Sequence, residues 1–256
     1  MKNSIRNLII TSALVAGIFG ISNAQTVSGE FSTDVTIGDA TAFSTPYTGI
    51  TLEGDSWELS TNLSDGNVNV EEAKYNWAIS DAITATFGSQ AEPYGIAWGL
   101  HRPSNNSYVS SPRDHSISTG VGISTSAYGV GAGAFYGDDN YWAARASYGV
   151  SAFGINSTVG LSVNSDDAQL VDVSTEGSAL GIPYETSLEY DAANDGAYWL
   201  RGVVTPEFAK GTYAIIGYNS DEEVTYGVGY NCTDNMKITT ELSGDGDTVI
   251  RASYSF

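Results

Sequence analysis

The stretch Thr248–Phe256, TVIRASYSF, decides the fold. Apolar and aromatic side chains alternate along it with mostly polar ones, and the stretch ends on the aromatic residue Phe256. A period of two residues is that of a β-strand, in which successive side chains point to opposite faces. The edge strand of a soluble β-sandwich can end in the same way. Other segments must therefore discriminate between a closed barrel and a sandwich.

The same alternation recurs along the chain before this stretch, interrupted by short polar segments. The pattern predicts an all-β antiparallel transmembrane barrel of about 16 strands, each about 8 to 12 residues long, with 14 strands as an open alternative. The parity slips at Glu71-Glu72, which predicts a β-bulge. Tight turns are expected at Ser124–Ser126 and Gly149–Ser151, where polar residues separate apolar runs.

Residues 1–24 have the pattern of a secretory signal peptide. Lys2 and Arg6 precede an apolar run from Leu8 to Ile21, and the small residues of Ser22-Asn23-Ala24 follow it. The apolar run is shorter than the ~20 residues that a membrane-spanning helix needs. We therefore predict cleavage after Ala24, leaving residues 25–256 as a single barrel domain.

Charge and cysteine content exclude several classes of protein. The whole chain has 30 acidic and 10 basic residues, and the segment after Ala24 keeps only 8 of the bases, a net charge of −22. Such a surface argues against nucleic acid as a partner and favours cations. Cys232 is the only cysteine, so an internal disulfide is impossible. No motif in the sequence indicates a cofactor or a defined metal site, and acidic pairs such as Asp138-Asp139 are more often turn residues than ligands of divalent cations.

The segment 90–114 is the longest irregular stretch and follows the fifth predicted strand. It contains three of the six prolines of the chain, Pro93, Pro103 and Pro112. Long loops without secondary structure in compact folds usually carry function. Tyr128, Tyr136, Tyr141, Trp142 and Tyr148 bracket the next apolar strands, a placement typical of the aromatic girdles at membrane interfaces.

Taken together, the strand rhythm, the terminal Phe256 and the position of segment 90–114 resemble a Gram-negative general porin, although the chain is short and its other loops are brief. The resemblance implies that this loop folds into the barrel and narrows it, with Ala91–Gly95 similar to the stretch at a porin constriction. It also implies an outer-membrane location, a homotrimer, contacts with outer-membrane lipid and lipopolysaccharide, and passage of ions and small hydrophilic solutes. The last strand, with Tyr254 and Phe256, would be the signal for the barrel assembly machinery. The constriction-loop residues implied in this way are Glu92, Tyr94, His101, Arg102, Arg113 and Asp114.

Most charged residues of the predicted strands lie on the polar face, which would line the lumen. These are the bases Lys74, Arg145, Arg201, Lys237 and Arg251 and the acids Glu30, Asp34, Glu58, Glu185, Glu189 and Glu241. A base on the lipid face costs about 2 to 4 kcal/mol at the bilayer midplane, so a consistent polar phase is informative. By the porin resemblance, Glu92 and Asp114 would oppose Lys74, Arg145 or Arg251 across the pore.

Two other functional classes remain open in the sequence. A non-conducting outer-membrane barrel, adhesin-like or structural, fits the same strand pattern, and a secreted soluble β-sandwich fits part of it. Catalysis is not expected, because the only histidines, His101 and His115, lie in or beside one loop and no nucleophile motif accompanies them.

Overall fold

The structure is a computed structural model that describes residues 26–38, 41–64, 67–95, 117–193, 195–206, 208–242 and 246–256. Sixteen strands make up nearly all of these residues. No helix in these ranges has the length and apolar character needed to cross a membrane. The strands are β1 (Thr26–Ile37), β2 (Thr41–Glu53), β3 (Trp57–Ser64), β4 (Asn67–Ser80), β5 (Ile83–Ala91), β6 (Ile117–Ala127), β7 (Val130–Gly137), β8 (Trp142–Ala152), β9 (Ile155–Asn164), β10 (Gln169–Ala179), β11 (Ile182–Asp191), β12 (Ala197–Val204), β13 (Thr212–Asn219), β14 (Val224–Asn231), β15 (Met236–Leu242) and β16 (Thr248–Ser255).

Each strand pairs antiparallel with its neighbours in the chain, and β1 pairs with β16, so that the sheet closes into a barrel. The pairing of β1 with β16 is the seam of the barrel, and there Gly29 and Phe256 exchange two backbone hydrogen bonds of 3.0 Å. The Phe256 ring lies where a side chain at position 29 would stand. Closure leaves no free sheet edge among the sixteen strands, and the terminal residue is part of that closure.

The two faces of the barrel wall differ in chemistry. Outward positions carry large apolar and aromatic side chains, such as Leu161, Ile216 and Val228, each more than half exposed. Inward positions are mostly small, polar or charged, as at Arg145 and Ser147 of β8. This arrangement inverts that of a water-soluble protein, whose apolar residues are buried, and it matches the apolar-out, polar-in alternation of membrane barrels.

Several predictions from the sequence are confirmed. The barrel has sixteen strands, and the long segment follows β5. The register between β3 and β4 shifts where Ser60 pairs with Glu72 and Thr61 pairs with Val70, which leaves Glu71 as the extra residue of a bulge. The β-sandwich alternative is wrong, because all sixteen strands form one closed sheet.

Two predicted turns are wrong. Strand β6 runs through Ser124–Ser126 and turns at Tyr128-Gly129, and β8 runs through Gly149–Ser151 and turns at Phe153-Gly154. In each true turn both central residues have positive φ, 53° and 80° in the first and 54° and 78° in the second. This backbone suits a two-residue hairpin turn, and glycine takes its second place. The polar residues that suggested turns belong instead to strands whose inward positions are small and polar.

Candidate functional site: the barrel lumen

Every wall residue that the sequence assigned to the lumen lies on the inward face. The inward set alternates along each strand with exposed apolar residues, as Arg201 does with Leu200 and Glu241 with Leu242. The predicted wall residues on the inward face are Lys74, Arg145, Arg201, Lys237, Arg251, Glu30, Asp34, Glu58, Glu185, Glu189 and Glu241. The wall is therefore densely charged on one side only.

Arg145 and Asp172 form a buried ion pair that joins β8 to β10 over the intervening strand β9. Arg145 lies on β8 and Asp172 on β10, and their exposed fractions are 4% and 1%. Both oxygens of the Asp172 carboxylate accept from the guanidinium, with Nη2 to Oδ1 at 2.7 Å and the second bond from Nη1 to Oδ2. Nη1 also donates to Ser162 Oγ at 3.2 Å. Two parallel N–H···O bonds give this pair a fixed geometry.

Gly160 on β9 makes that pair possible. A Cβ atom at this position would overlap Arg145 Nη2 and stand 2.5 Å from Asp172 Oδ2. The absence of a side chain on the intervening strand thus lets the two charged groups meet over it. Asp172 is not among the wall residues predicted from the sequence, although its position between Val171 and Val173 indicates the inward face.

A second ion pair spans the seam of the barrel. Asp34 of β1 and Arg251 of β16 are direct cross-strand partners. Arg251 donates from Nε to Oδ1 and from Nη2 to Oδ2, each at 2.8 Å. Strand closure therefore also joins two charges that lie far apart in the sequence.

Lys74 forms a third, more accessible cluster. Its Nζ lies 3.0 Å from Glu58 Oε2 and 2.5 Å from Glu72 Oε2, and the lysine side chain keeps 20% of its exposure. Glu72 also accepts at 3.1 Å from the backbone N–H of Ala91, at the end of β5. Three of the five predicted wall bases are thus neutralised by wall acids.

The described start of the long loop, Glu92–Gly95, turns into the barrel. Glu92 is buried and accepts from Ser118 Oγ at 2.5 Å and from Tyr141 Oη at 2.6 Å. The backbone N–H of Gly95 donates to Ser162 Oγ at 2.9 Å, on the inward face of β9. Tyr94 lies between them, with its backbone N–H on the Glu92 carbonyl at 2.8 Å. The chain therefore leaves β5 and crosses the inner wall as far as β9.

Tyr141 lies inside the barrel and not in the outward aromatic girdle that the sequence predicted. It stands on the inward side before β8, bonded to Glu92 and to Asn164, whereas Trp142 and Tyr148 face outward. Burial and the hydrogen bond to the Glu92 carboxylate raise the pKa of the Tyr141 phenol. The phenol thus stays protonated at neutral pH and acts as the donor in the bond that holds the loop start. Its assignment to an aromatic girdle is wrong.

The sequence predicted that the loop acid Glu92 opposes wall bases across the pore, but the structure gives these residues other partners. Arg145 pairs with Asp172 and Arg251 with Asp34, while Glu92 bonds to the two hydroxyls of Ser118 and Tyr141. His101, Arg102, Arg113 and Asp114 lie outside the described residues. Their place in a constriction stays a prediction.

Comparisons with known proteins find similarity in structure but not in sequence. No protein-family model matches the chain, and no curated protein matches it in sequence. Among solved structures, a substituted form of Rh. blastica porin superposes with a TM-score of 0.66 and 12% identity, covering 90% of this chain and 99% of that one. OmpT, an outer membrane protein of Vibrio cholerae described in a trimer form, gives a TM-score of 0.63 and 13% identity, covering 90% and 98%.

At these identities the likeness concerns the fold alone. It nevertheless extends over 90% of this chain and almost the whole length of each of the two solved structures. This chain, a closed barrel of sixteen strands, is similar in fold to Rh. blastica porin and to V. cholerae OmpT.

Proposed function

We propose that this protein is an outer-membrane porin, a water-filled channel through which ions and small hydrophilic solutes diffuse passively. The observation that carries the proposal is the two-sided wall: large apolar residues face outward and charged residues face inward around a closed barrel. Charged side chains that line a cavity and face away from lipid are typical of an aqueous path. The inward turn of Glu92–Gly95 supports a lumen narrowed by the loop that follows β5.

A weak preference for cations is part of this proposal. Wall acids neutralise Lys74, Arg145 and Arg251, and further acids on the inward face, among them Glu30 and Glu176, add to the negative charge. Fixed charge in a confined path selects ions of the opposite sign. A homotrimer in the outer membrane is also proposed, supported by the trimer form of V. cholerae OmpT.

A non-conducting barrel is the competing proposal, and one observation favours it. Several inward side chains, Asp172 and Arg201 among them, are almost fully buried, whereas an open wall leaves its side chains accessible to water. That the chain is no enzyme stays a prediction, because both histidines lie outside the described residues.

Liposome swelling with neutral sugars of increasing size tests the channel. Purified protein refolded into liposomes should let small sugars in faster than large ones. Ser124→Trp and Ile123→Trp form a matched pair, because these consecutive residues of β6 face inward and outward respectively. The inward tryptophan should slow the larger sugars, and the outward one should leave the rates unchanged. Inserted, heat-modifiable protein that admits no sugar would favour the non-conducting barrel.

A further inference from the structure

We propose that Arg201 is the centre of a binding site in the lumen for the carboxylate group of a small organic acid. The inference deepens the proposed function and rests on it for the route by which such a solute arrives. It starts from an imbalance: Arg201 is 2% exposed, yet its Nε and Nη2 have no hydrogen-bond partner in the structure. Burying a charged donor without an acceptor is costly, so an acceptor from outside the chain, a water molecule or a solute, is expected at that edge.

The same protein shows what this edge of a guanidinium binds. Arg251 uses its own Nε and Nη2 to hold the two oxygens of Asp34. Asp34 stands directly across from Arg251 on the next strand. The direct cross-strand neighbours of Arg201 are Ser187 and Gly217, and neither has a carboxylate. The Nε and Nη2 atoms that hold a carboxylate in Arg251 thus have no carboxylate partner in Arg201.

Nearby acids do not fill the gap. Glu185 and Glu241 act on the Arg201 guanidinium through electrostatics, but neither forms a hydrogen bond or an ion pair with it. Their presence keeps the neighbourhood from being strongly positive. Such a site favours a ligand that matches the planar fork of the guanidinium over any small anion drawn by charge alone.

The groups around Arg201 have the matching chemistry. One row of direct cross-strand partners runs from Ser174 through Ser187, Arg201 and Gly217 to Thr225, across five strands. Ser174 Oγ and Thr225 Oγ1 are buried and also without a partner, as is the Nε1 of Trp199. Each of these groups can donate a hydrogen bond, which is what a bound oxyanion needs.

Apolar residues adjoin the same row. Val203, Tyr213 and Ile215 form a buried cluster on the inward face, next to Arg201 along β12 and next to Gly217 along β13. A ligand bound to Arg201 would therefore have apolar side chains beside its hydrocarbon stem. The ligand class is therefore a small aliphatic monocarboxylate, with propionate as its simplest probe.

The test measures the unfolding temperature of the refolded full chain in detergent, in sodium propionate and in sodium chloride of equal ionic strength. Wild type should show a saturable rise with propionate that chloride, which cannot accept two parallel hydrogen bonds, does not produce. Arg201→Met should weaken the apparent affinity about tenfold or more, since it removes two charge-assisted hydrogen bonds. Arg201→Lys should do the same, because it keeps the charge and loses the fork.

Ser187→Asp gives an independent test. It places a carboxylate directly across from Arg201, in the relation that Asp34 has to Arg251, and should abolish the propionate response in a folded protein. Lys237→Met, which removes another inward base, should leave the response intact. A response that persists in Arg201→Met, an equal response to chloride, or none in wild type overturns the inference. Because the readout is stability, a failure of sugar transport would refute the porin proposal separately.

Discussion

Arg145 and Arg201 occupy similar places on the barrel wall and have opposite surroundings. Both face inward from strand interiors and both are almost fully buried. Arg145 has a carboxylate held by two bonds and a serine hydroxyl, while the Nε and Nη2 of Arg201 have no acceptor. The difference arises from register: Gly160 lets Arg145 reach a strand that carries Asp172, whereas the row of Arg201 contains only hydroxyls and a glycine. Burial of a charge therefore does not by itself show that the charge is satisfied.

The largest expected effect separates the two arginines directly. Arg145→Met leaves the Asp172 carboxylate buried without its partner, and breaking a buried pair in this way costs about 3 to 5 kcal/mol. Arg201→Met removes a buried charge that has no acceptor, so its free energy of unfolding should stay unchanged or rise. Urea unfolding of the two refolded variants, followed by tryptophan fluorescence, measures both. Equal destabilisation by the two substitutions would contradict the contrast.

The second effect concerns the space that the paired arginine needs. Gly160→Ala puts a methyl group onto Arg145 Nη2 and Asp172 Oδ2 and should cost about 1 to 3 kcal/mol of unfolding free energy through overpacking. Gly149→Ala on the neighbouring strand β8 is the matched control, because the nearest atom to its Cβ would be 3.6 Å away. The control should be close to neutral in the same unfolding experiment. A neutral Gly160→Ala would mean that the ion pair tolerates displacement.

A third prediction concerns the loop start, which is held on the side of the paired arginine. Tyr141→Phe removes the donor to Glu92 and should cost about 1.5 kcal/mol, the lower limit for a hydrogen bond to a charged group. The Glu92–Gly95 segment should then move more freely, which single-channel recordings would report as increased current noise. Tyr136→Phe, whose hydroxyl bonds to Asn140 on an exposed surface, provides the control and should leave the noise unchanged.

The smallest effect belongs to Lys74, whose pairs are partly open to water. Lys74→Met should change the free energy of unfolding by less than about 1 kcal/mol, as expected for solvent-accessible ion pairs. The same urea titration measures it. A loss comparable to that of Arg145→Met would show that this cluster is as dry as the buried pair, and would remove the distinction drawn between them.

Much of the fold follows from the sequence because the alternation of a barrel strand is local. The strand number, the bulge at Glu71 and the place of the long loop all come from runs of a few residues. The turn at Tyr128-Gly129 was missed because an exposed aromatic residue at positive φ does not have the composition of a turn. The face of each wall charge also followed from parity.

The partners of those charges did not follow, because they depend on register. Arg251 meets Asp34 only once the barrel closes, and Arg145 meets Asp172 only across an intervening glycine. A one-residue slip in any strand would send these side chains to the other face. No local pattern separates Arg145, which has an acid within reach, from Arg201, which has none bonded to it.

Single-channel recording in a planar bilayer, with the reversal potential taken across a salt gradient, tests the central claim that this wall encloses an open path. We expect stable, discrete current steps and a reversal potential of the sign that marks preference for cations. Steps with preference for anions would contradict the charge assignment of the wall. Inserted protein that gives no steps would contradict the channel itself.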